Sequence, residues 1–185
     1  MAHGLCPVWV GYFLASPIRR LMQNPERVLA PYVAPGMTVL EVGPGMGFFS
    51  IPAARLVGPA GRVVCVDVQQ GMLDGLKQRA AAAGVAPRIE TRLCEAHSLG
   101  LDDLDGAVDV VLLFYVVHEV PDPQKLFAEV AATLKPSGAV LFSEPSFHVS
   151  RESFDHSLAL ARRCGLAVAA TPRIATRRSA VLKMD

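Results

Sequence analysis

The residues best placed to do chemistry surround a glycine-rich turn. Gly43, Gly45 and Gly47 directly follow an apolar, β-branched run and precede a helical pattern. Glycine lets the backbone turn tightly, and it lets a ligand approach the main-chain amides with no Cβ in the way. The spacing is GxGxG, whereas the dinucleotide-binding pattern GxGxxG would need glycine where Phe48 stands. The pattern therefore predicts a ligand-binding turn between a strand and a helix.

Two carboxylates flank this turn in the sequence. Glu41 lies near the end of the first strand, where it can bind the ammonium of an amino-acid-like ligand directly or through water. Asp67 follows Gly47 by twenty residues and ends the next apolar run, where it can accept both hydroxyls of a ribose. Asp67 alone would suit a nicotinamide dinucleotide equally well. Glu41 and the glycine spacing favour a nucleoside that carries an amino acid.

The elements that must position these groups alternate between strands and helices. We predict the strands at Met37–Val42, Gly61–Val68, Arg88–Leu93, Val108–Phe114, Ala139–Ser143, Leu166–Thr171 and Ala180–Met184. We predict the helices at Phe49–Val57, Met72–Ala83, Pro123–Leu134 and Ser150–Cys164, with a turn at Lys135–Gly138. Alternation of this kind favours a doubly wound α/β fold with a mostly parallel seven-stranded sheet and helices on both faces. The last two strands lack a helix between them, so they should form an antiparallel hairpin.

The first thirty residues lie outside this alternation. We expect a single α/β domain at 31–185, preceded by a helical segment at 1–30. Asn24 and Pro25 have the residue types of a helix cap and a first helical position. The apolar run Leu5–Leu14 is too short for a membrane span and lacks the preceding positive charge of a signal peptide.

The aromatic residues of this first segment predict a cover for the ligand pocket. Trp9, Tyr12 and Phe13 would give the dry site that many group transfers favour. A dimer contact or a membrane contact is the alternative. His3 and Cys6 are two possible ligands, too few for a metal site, so no metal is predicted.

Composition limits the classes of partner. The net charge is +1 over 185 residues, so no strong field would attract nucleic acid or an anionic membrane. The four cysteines are widely spaced and form no CxxC pair, which argues against a zinc site and a disulfide framework. A reducing cytoplasm is therefore the expected location.

From about Met37 to the C-terminus, the sequence resembles the class I S-adenosylmethionine-dependent methyltransferases, which have a Rossmann-like fold. Five segments carry the resemblance in the family's order: Glu41–Gly47, Asp67–Leu73, Leu93–Ala96, Asp109–Tyr115 and Leu134–Gly138. The third segment departs from the common pattern G-D-A, because cysteine replaces its glycine and glutamate its aspartate.

The resemblance implies S-adenosylmethionine as cofactor and S-adenosylhomocysteine as product. It implies a cofactor site formed by Glu41, Gly43, Pro44, Gly45, Gly47, Asp67, Val68, Met72, Glu95, Ala96, Phe114 and Tyr115. In such a site Asp67 holds the ribose, Met72 lies against the adenine, and Glu95 meets the adenine amino group.

Methyl transfer is a direct displacement, so it depends mainly on alignment and exclusion of water. The family has no universal catalytic residue, and the candidates here are His118, Tyr115 and Tyr12. His118 is the best base because the imidazole pKa lies near neutrality, although it could instead order the loop before Pro121.

We expect a methyltransferase acting on a small-molecule acceptor, because no nucleic-acid-binding domain or large substrate insertion is present. One alternative is a module that binds S-adenosylmethionine without transferring its methyl group. Another is a nicotinamide-dependent oxidoreductase, which Phe48 and the terminal hairpin disfavour. An arsenite acceptor would require several cysteines to converge at the pocket.

Overall fold

The computed structural model describes residues 24–174 and 177–185. The predictions made for Trp9, Tyr12, Phe13, His3 and Cys6 lie outside the described residues. The chain divides into two compact units, Met1–Cys94 and Glu95–Asp185. The boundary expected near residue 30 stays a prediction.

The described part of the first unit contains three helices and three strands. In chain order they are α1 (Pro25–Leu29), β1 (Thr38–Val42), α2 (Ser50–Leu56), β2 (Arg62–Asp67), α3 (Gln70–Ala82) and β3 (Ile89–Leu93). A short 3₁₀ turn at Ala86–Arg88 leads into β3. β2 pairs in parallel with both β1 and β3. Parallel strands are covered on both faces, which explains why β2 is buried at every position after Arg62.

The ends of the helices follow the local signals in the sequence. The Asn24 side chain accepts a hydrogen bond of 3.2 Å from the Arg27 amide, and Pro25 occupies the first helical position, as predicted. α3 ends before Gly84, whose φ of +69° only glycine adopts readily. Its start at Gln70 precedes the predicted start by two residues.

The described part of the second unit contains two helices and four strands. They are β4 (Val108–Phe114), α4 (Pro123–Thr133), β5 (Leu134–Pro145), α5 (Arg151–Arg163), β6 (Leu166–Ala170) and β7 (Arg177–Met184), with 3₁₀ turns at Asp102–Leu104 and Val117–Glu119. β4 pairs in parallel with β5. β7 runs antiparallel to both β5 and β6, which confirms the predicted terminal hairpin.

Stacked aromatic rings fix the helices of this unit to its strands. The Phe142 ring of β5 packs edge-on against Phe127 of α4, with ring centroids 5.7 Å apart. It stacks on Phe154 of α5 at 4.8 Å. All three rings are buried, so they hold α4 and α5 against β5.

The segment Lys135–Gly138 differs from the predicted turn. It lies inside β5, where Leu134 pairs with Val108 but the next pairing joins Ala139 to Val110. The residues between them form an irregularity of the strand rather than its beginning. Gly138 fits this crowding because an added Cβ would lie 3.0 Å from the Val108 carbonyl oxygen.

The predicted fold class is confirmed. The strand order is β3-β2-β1 in the first unit, where all pairings are parallel, and β4-β5-β7-β6 in the second, where β7 is antiparallel to both of its neighbours. Within the described part of the chain, no helix is long and apolar enough to cross a membrane.

Deleting Ala180–Asp185 tests the role of β7. The deletion removes buried Val181 and Leu182 and the backbone partners of both β5 and β6, so cooperative unfolding should be lost. Lys183→Ser is the control because this side chain is exposed, and it should unfold as the wild type does. Urea titration followed by circular dichroism measures both. A truncated chain that unfolds as cooperatively as the full chain would contradict the topology.

Candidate functional site

The glycine-rich turn between β1 and α2 needs glycine at three positions. Gly43, Gly45 and Gly47 have φ values of +67°, +53° and +85°, in the left-handed region that other residues rarely adopt. The Gly43 amide donates a 2.9 Å hydrogen bond to the Val66 carbonyl oxygen, which fastens the start of the turn to β2. The turn predicted from the sequence is therefore present.

Two of these glycines face different surroundings. A Cβ on Gly47 would lie 2.4 Å from Leu76 Cδ1, so Gly47 allows α3 to pack closely against the turn. A Cβ on Gly45 would meet nothing within 4 Å. Gly45 therefore leaves open space beside the main chain, where a ligand could approach.

Asp67, at the end of β2, lies beside this turn. Its carboxylate accepts a 3.0 Å hydrogen bond from the Gln69 amide and further bonds from the amides of Gly45 and Val68. The side chain is almost buried, and burial raises the pKa of Asp67 although the three amide bonds oppose that rise. The two predicted cofactor elements, turn and acid, are thus joined by a direct contact within one unit.

Glu41 has a more enclosed position than the sequence indicated. It is 2% exposed, and the Ser50 hydroxyl donates a 2.5 Å hydrogen bond to its Oε2. Burial raises the pKa of Glu41 to about 8; the Ser50 bond opposes this, and the Asp67 charge adds to it. At neutral pH the carboxyl is mostly protonated. Its expected contact with a ligand ammonium stays a prediction.

Ser50 and Cys65 complete a buried polar cluster that sequence reasoning missed. Glu41 and Cys65 are paired residues of β1 and β2, and the Cys65 thiol forms a hydrogen bond with Ser50. Burial, with the neighbouring Glu41 charge, raises the pKa of Cys65 well above its usual range. Cys65 is therefore a neutral core thiol. The signal for Ser50 was a hydroxyl at the first position of the helix that follows the turn.

The remaining predicted residues of the first unit surround the turn in sequence. Pro44 is buried within the turn, and Val68 is half-buried after Asp67. Met72 is 4% exposed and packs with Met46 in the core. Its expected contact with adenine stays a prediction.

In the second unit, Glu95 and Ala96 are exposed. The Glu95 carboxylate lies 3.0 Å from His97 Nε2, and each of these side chains is 75% exposed. Phe114 ends β4 and is buried. The cofactor contacts expected of these residues stay predictions.

Tyr115 has an unusual backbone conformation. Its φ of +62° is the one positive value of a non-glycine residue in the described part of the chain. Its amide donates a 2.9 Å hydrogen bond to the Ser143 carbonyl oxygen, and the Arg177 guanidinium carbon lies 4.9 Å from the ring centroid. Such backbone strain costs about 1–3 kcal/mol and is common where strands end at functional sites.

His118 and Glu144 are in direct contact twice. Imidazole Nδ1 lies 2.7 Å from Glu144 Oε2, and the His118 amide donates a 3.1 Å hydrogen bond to Oε1. Burial lowers the pKa of His118, but the Glu144 bond and charge, with the Glu119 charge, raise it above its ordinary value overall. The sequence predicted His118 as a candidate base but did not predict its contact with Glu144.

Arg178 fixes the loop that follows Glu144. Its Nη1 donates to the carbonyl oxygens of Ser146 and Val149, at 3.1 Å and 2.8 Å. The loop presents the His148 ring edge-on to His118, with centroids 5.0 Å apart. Among residues 24–174 and 177–185, no group of three or more His, Cys, Asp or Glu side chains is placed to hold a metal ion.

Comparison with known proteins decides the family, because a model described as a methyltransferase domain matches residues 34–171, well over half of the chain. The chain belongs to this methyltransferase domain family. It is 36% identical over 121 residues to an arsenite methyltransferase of Halobacterium salinarum, covering 65% of the chain and 30% of that protein. It is 28% identical over 138 residues to the ubiquinone/menaquinone biosynthesis C-methyltransferase of Cronobacter sakazakii, covering 72% of the chain and 54% of that protein. The chain thus spans about half the length of these relatives, or less.

Solved methyltransferases share the fold. A SAM-dependent methyltransferase from Aquifex aeolicus has a TM-score of 0.85 at 24% identity, covering 97% of this chain and 99% of that one. Geranyl diphosphate C-methyltransferase from Streptomyces coelicolor, solved with S-adenosyl-L-homocysteine, has a TM-score of 0.69 at 18% identity, covering 90% and 80%. The predicted family is confirmed, and its cofactor is S-adenosylmethionine.

Gly47→Ala tests the close packing of the turn. The substitution places a Cβ in the left-handed region and against Leu76, so we expect a loss of about 2–4 kcal/mol in the free energy of unfolding. Gly58→Ala is the matched control, since Gly58 has a φ of +66° but open space around it. It should lose only about 1–2 kcal/mol. Equal losses in urea unfolding would contradict the packing role of Gly47.

Glu41→Gln tests the buried acid. The pKa of Glu41 is about 8 in the folded chain and 4.5 ordinarily, so the folded state holds a proton that the unfolded state releases between these pH values. Its contribution to the free energy of unfolding therefore falls as pH rises through this window, and glutamine removes that fall. Urea unfolding at several pH values should show a flatter profile for the variant. Glu90→Gln, on a half-exposed side chain, is the control; a Glu41→Gln profile parallel to wild type would contradict a neutral Glu41.

Proposed function

We propose that this chain is an S-adenosylmethionine-dependent methyltransferase that acts on a small-molecule acceptor. The contact that carries the proposal is between the Asp67 carboxylate and the amide of Gly45. This contact places Asp67, an acid that can bind a ribose, beside the open side of the glycine turn at Gly45, within one unit. The family match supports the same cofactor.

Four residues of the first unit would each contribute a different interaction to the cofactor site. Asp67 would accept hydrogen bonds from the ribose hydroxyls, and the space beside Gly45 would admit the ligand to the main chain. Glu41 would meet the ammonium, directly or through water. Ser50 would hold the Glu41 carboxyl in place by the hydrogen bond it donates.

S-adenosylmethionine supplies a methyl group on a positively charged sulfur, which leaves without needing a proton. The protein therefore contributes mainly alignment of the acceptor and exclusion of water. A base is required only when the acceptor arrives protonated.

A small-molecule acceptor is favoured by the net charge of +1, which offers no field for nucleic acid. The relatives' names also point to small molecules, since they include an arsenite methyltransferase and a geranyl diphosphate C-methyltransferase. Arsenite itself is disfavoured here. Cys65 is fully buried, and the described residues contain no cluster of possible ligands around it.

Binding without methyl transfer is the second candidate. The [4+2]-cyclase SpnF has a TM-score of 0.70 with this chain at 19% identity, so the fold also occurs in a protein named for another reaction. The reducing, cytoplasmic location expected from the sequence stays a prediction.

Transfer of a radiolabelled methyl group separates the two candidates. The protein is incubated with labelled S-adenosylmethionine and either the low-molecular-weight or the macromolecular fraction of a bacterial lysate. We expect label in a small molecule and stoichiometric S-adenosylhomocysteine. Binding without any transfer would support the non-catalytic module, and label in protein or RNA alone would overturn the acceptor class.

Asp67→Ala tests the cofactor site. Loss of charge-assisted hydrogen bonds to the ribose should weaken S-adenosylmethionine binding by about 1–3 kcal/mol in a calorimetric titration. Asp74→Ala, an exposed acid on α3, is the control and should leave the affinity unchanged. Equal affinities for the wild type and Asp67→Ala would remove Asp67 from the site.

A further inference from the structure

The contact between His118 and Glu144 has the geometry of a base and the acid that orients it. Glu144 is 1% exposed, and a buried carboxylate is costly unless donors satisfy it. Imidazole Nδ1 and the His118 amide both point at it, one on each oxygen. In the neutral ring the proton therefore lies on Nδ1, and Nε2 is the proton acceptor.

The imidazole is the more accessible member of the pair. The His118 side chain is 18% exposed, whereas Glu144 is sealed, so only the imidazole can reach a ligand. Nε2 lies 3.9 Å from Glu119 Oε1, and the His148 ring packs edge-on against the imidazole. Arg178, the backbone partner of Glu144 across β5 and β7, uses its guanidinium to hold the His148 loop.

The position of the pair in the fold also fits a reacting site. His118 follows the carboxyl end of β4, and Glu144 lies near the carboxyl end of β5, which is parallel to it. Ligands of open α/β sheets bind outside the carboxyl ends of parallel strands. The strained Tyr115 precedes His118 at the same strand end.

We propose that His118 is the catalytic base of this enzyme, that Glu144 positions it, and that the acceptor is accordingly one whose attacking group loses a proton, such as a phenol or an enol. The proposal rests on the methyltransferase function proposed above. An acceptor whose attacking atom carries a free lone pair and no proton, such as the arsenic atom of arsenite, would not depend on this pair.

A hydroxyl acceptor is methylated in a single displacement. An oxygen lone pair attacks the methyl carbon and forms the new C–O bond, while the C–S bond breaks and its electrons stay on sulfur, giving S-adenosylhomocysteine. The hydroxyl proton passes to His118 Nε2. Glu144 stabilises the resulting imidazolium, which later releases the proton to water. When an enol attacks the methyl group through its carbon, a C=O bond forms and the enol hydroxyl proton passes to His118 Nε2 in the same way.

Two substitutions separate a base from a pair that only orders the loop. His118→Asn keeps a side-chain N–H that can donate to Glu144 but has no basic nitrogen. Glu144→Gln keeps an oxygen for the His118 amide but removes the charge that raises the pKa of His118. His156→Asn, an exposed histidine on α5, is the matched control.

The experiment uses the full chain with S-adenosylmethionine and three probe acceptors: catechol, menadiol and arsenite. We expect catechol or menadiol to be methylated. His118→Asn should lower kcat by about 10²–10⁴-fold with unchanged cofactor affinity, and His156→Asn should behave as wild type. In Glu144→Gln the acid limb of the kcat/KM profile should move to lower pH, because the imidazole loses its proton more easily.

Several outcomes would overturn the proposal. In the first, the protein binds the cofactor but methylates arsenite alone or none of the probes. In the second, His118→Asn keeps full activity. In the third, Glu144→Gln leaves the acid limb of the kcat/KM profile where it is in the wild type. If the activity of each variant falls only in proportion to the fraction of folded protein, the two residues have a structural role and the proposal is also wrong. Failure to bind S-adenosylmethionine is distinguishable from all of these and would instead remove the proposed function.

Discussion

The bond between Asp67 and the glycine turn is the constraint on which the candidate cofactor site depends. The carboxylate at the end of β2 accepts amide hydrogens from its own chain neighbours and from Gly45. The turn can offer that amide only because glycines adopt left-handed conformations at three positions. Contacts within the chain thus hold the end of β2 and the glycine turn in one geometry. This reduces the conformational entropy that the chain loses when a ligand binds.

Two buried glutamates show how environment separates the roles of identical side chains. Glu41 has one strong donor, the Ser50 hydroxyl, and its raised pKa keeps it neutral inside the first unit. Glu144 has an imidazole and an amide as donors, and a charged Glu144 raises the pKa of its histidine. The first arrangement holds a neutral carboxyl in place beside the turn, and the second suits proton transfer.

The fold was largely predictable because its signals are local. Val-rich runs, Asn24-Pro25 and the glycines mark elements through propensity and backbone sterics alone. Ser50 contacts Glu41, which lies nine positions earlier in the chain, and His118 contacts Glu144, which lies 26 positions later. These contacts depend on strand register and helix position, which local patterns in a single sequence do not reveal. The irregularity in β5 was also missed, because Lys135–Gly138 has the composition of an ordinary turn and its pairing with β4 is not visible in the sequence.

The most direct test of the cofactor assignment is a calorimetric titration of the purified protein with S-adenosylmethionine, S-adenosylhomocysteine and NAD. The arrangement of Glu41, Gly45 and Asp67 predicts micromolar binding of the first two ligands and no heat from the third. Binding of NAD alone would contradict it, and the turn from Gly43 to Gly47 would then be a dinucleotide loop of unusual spacing.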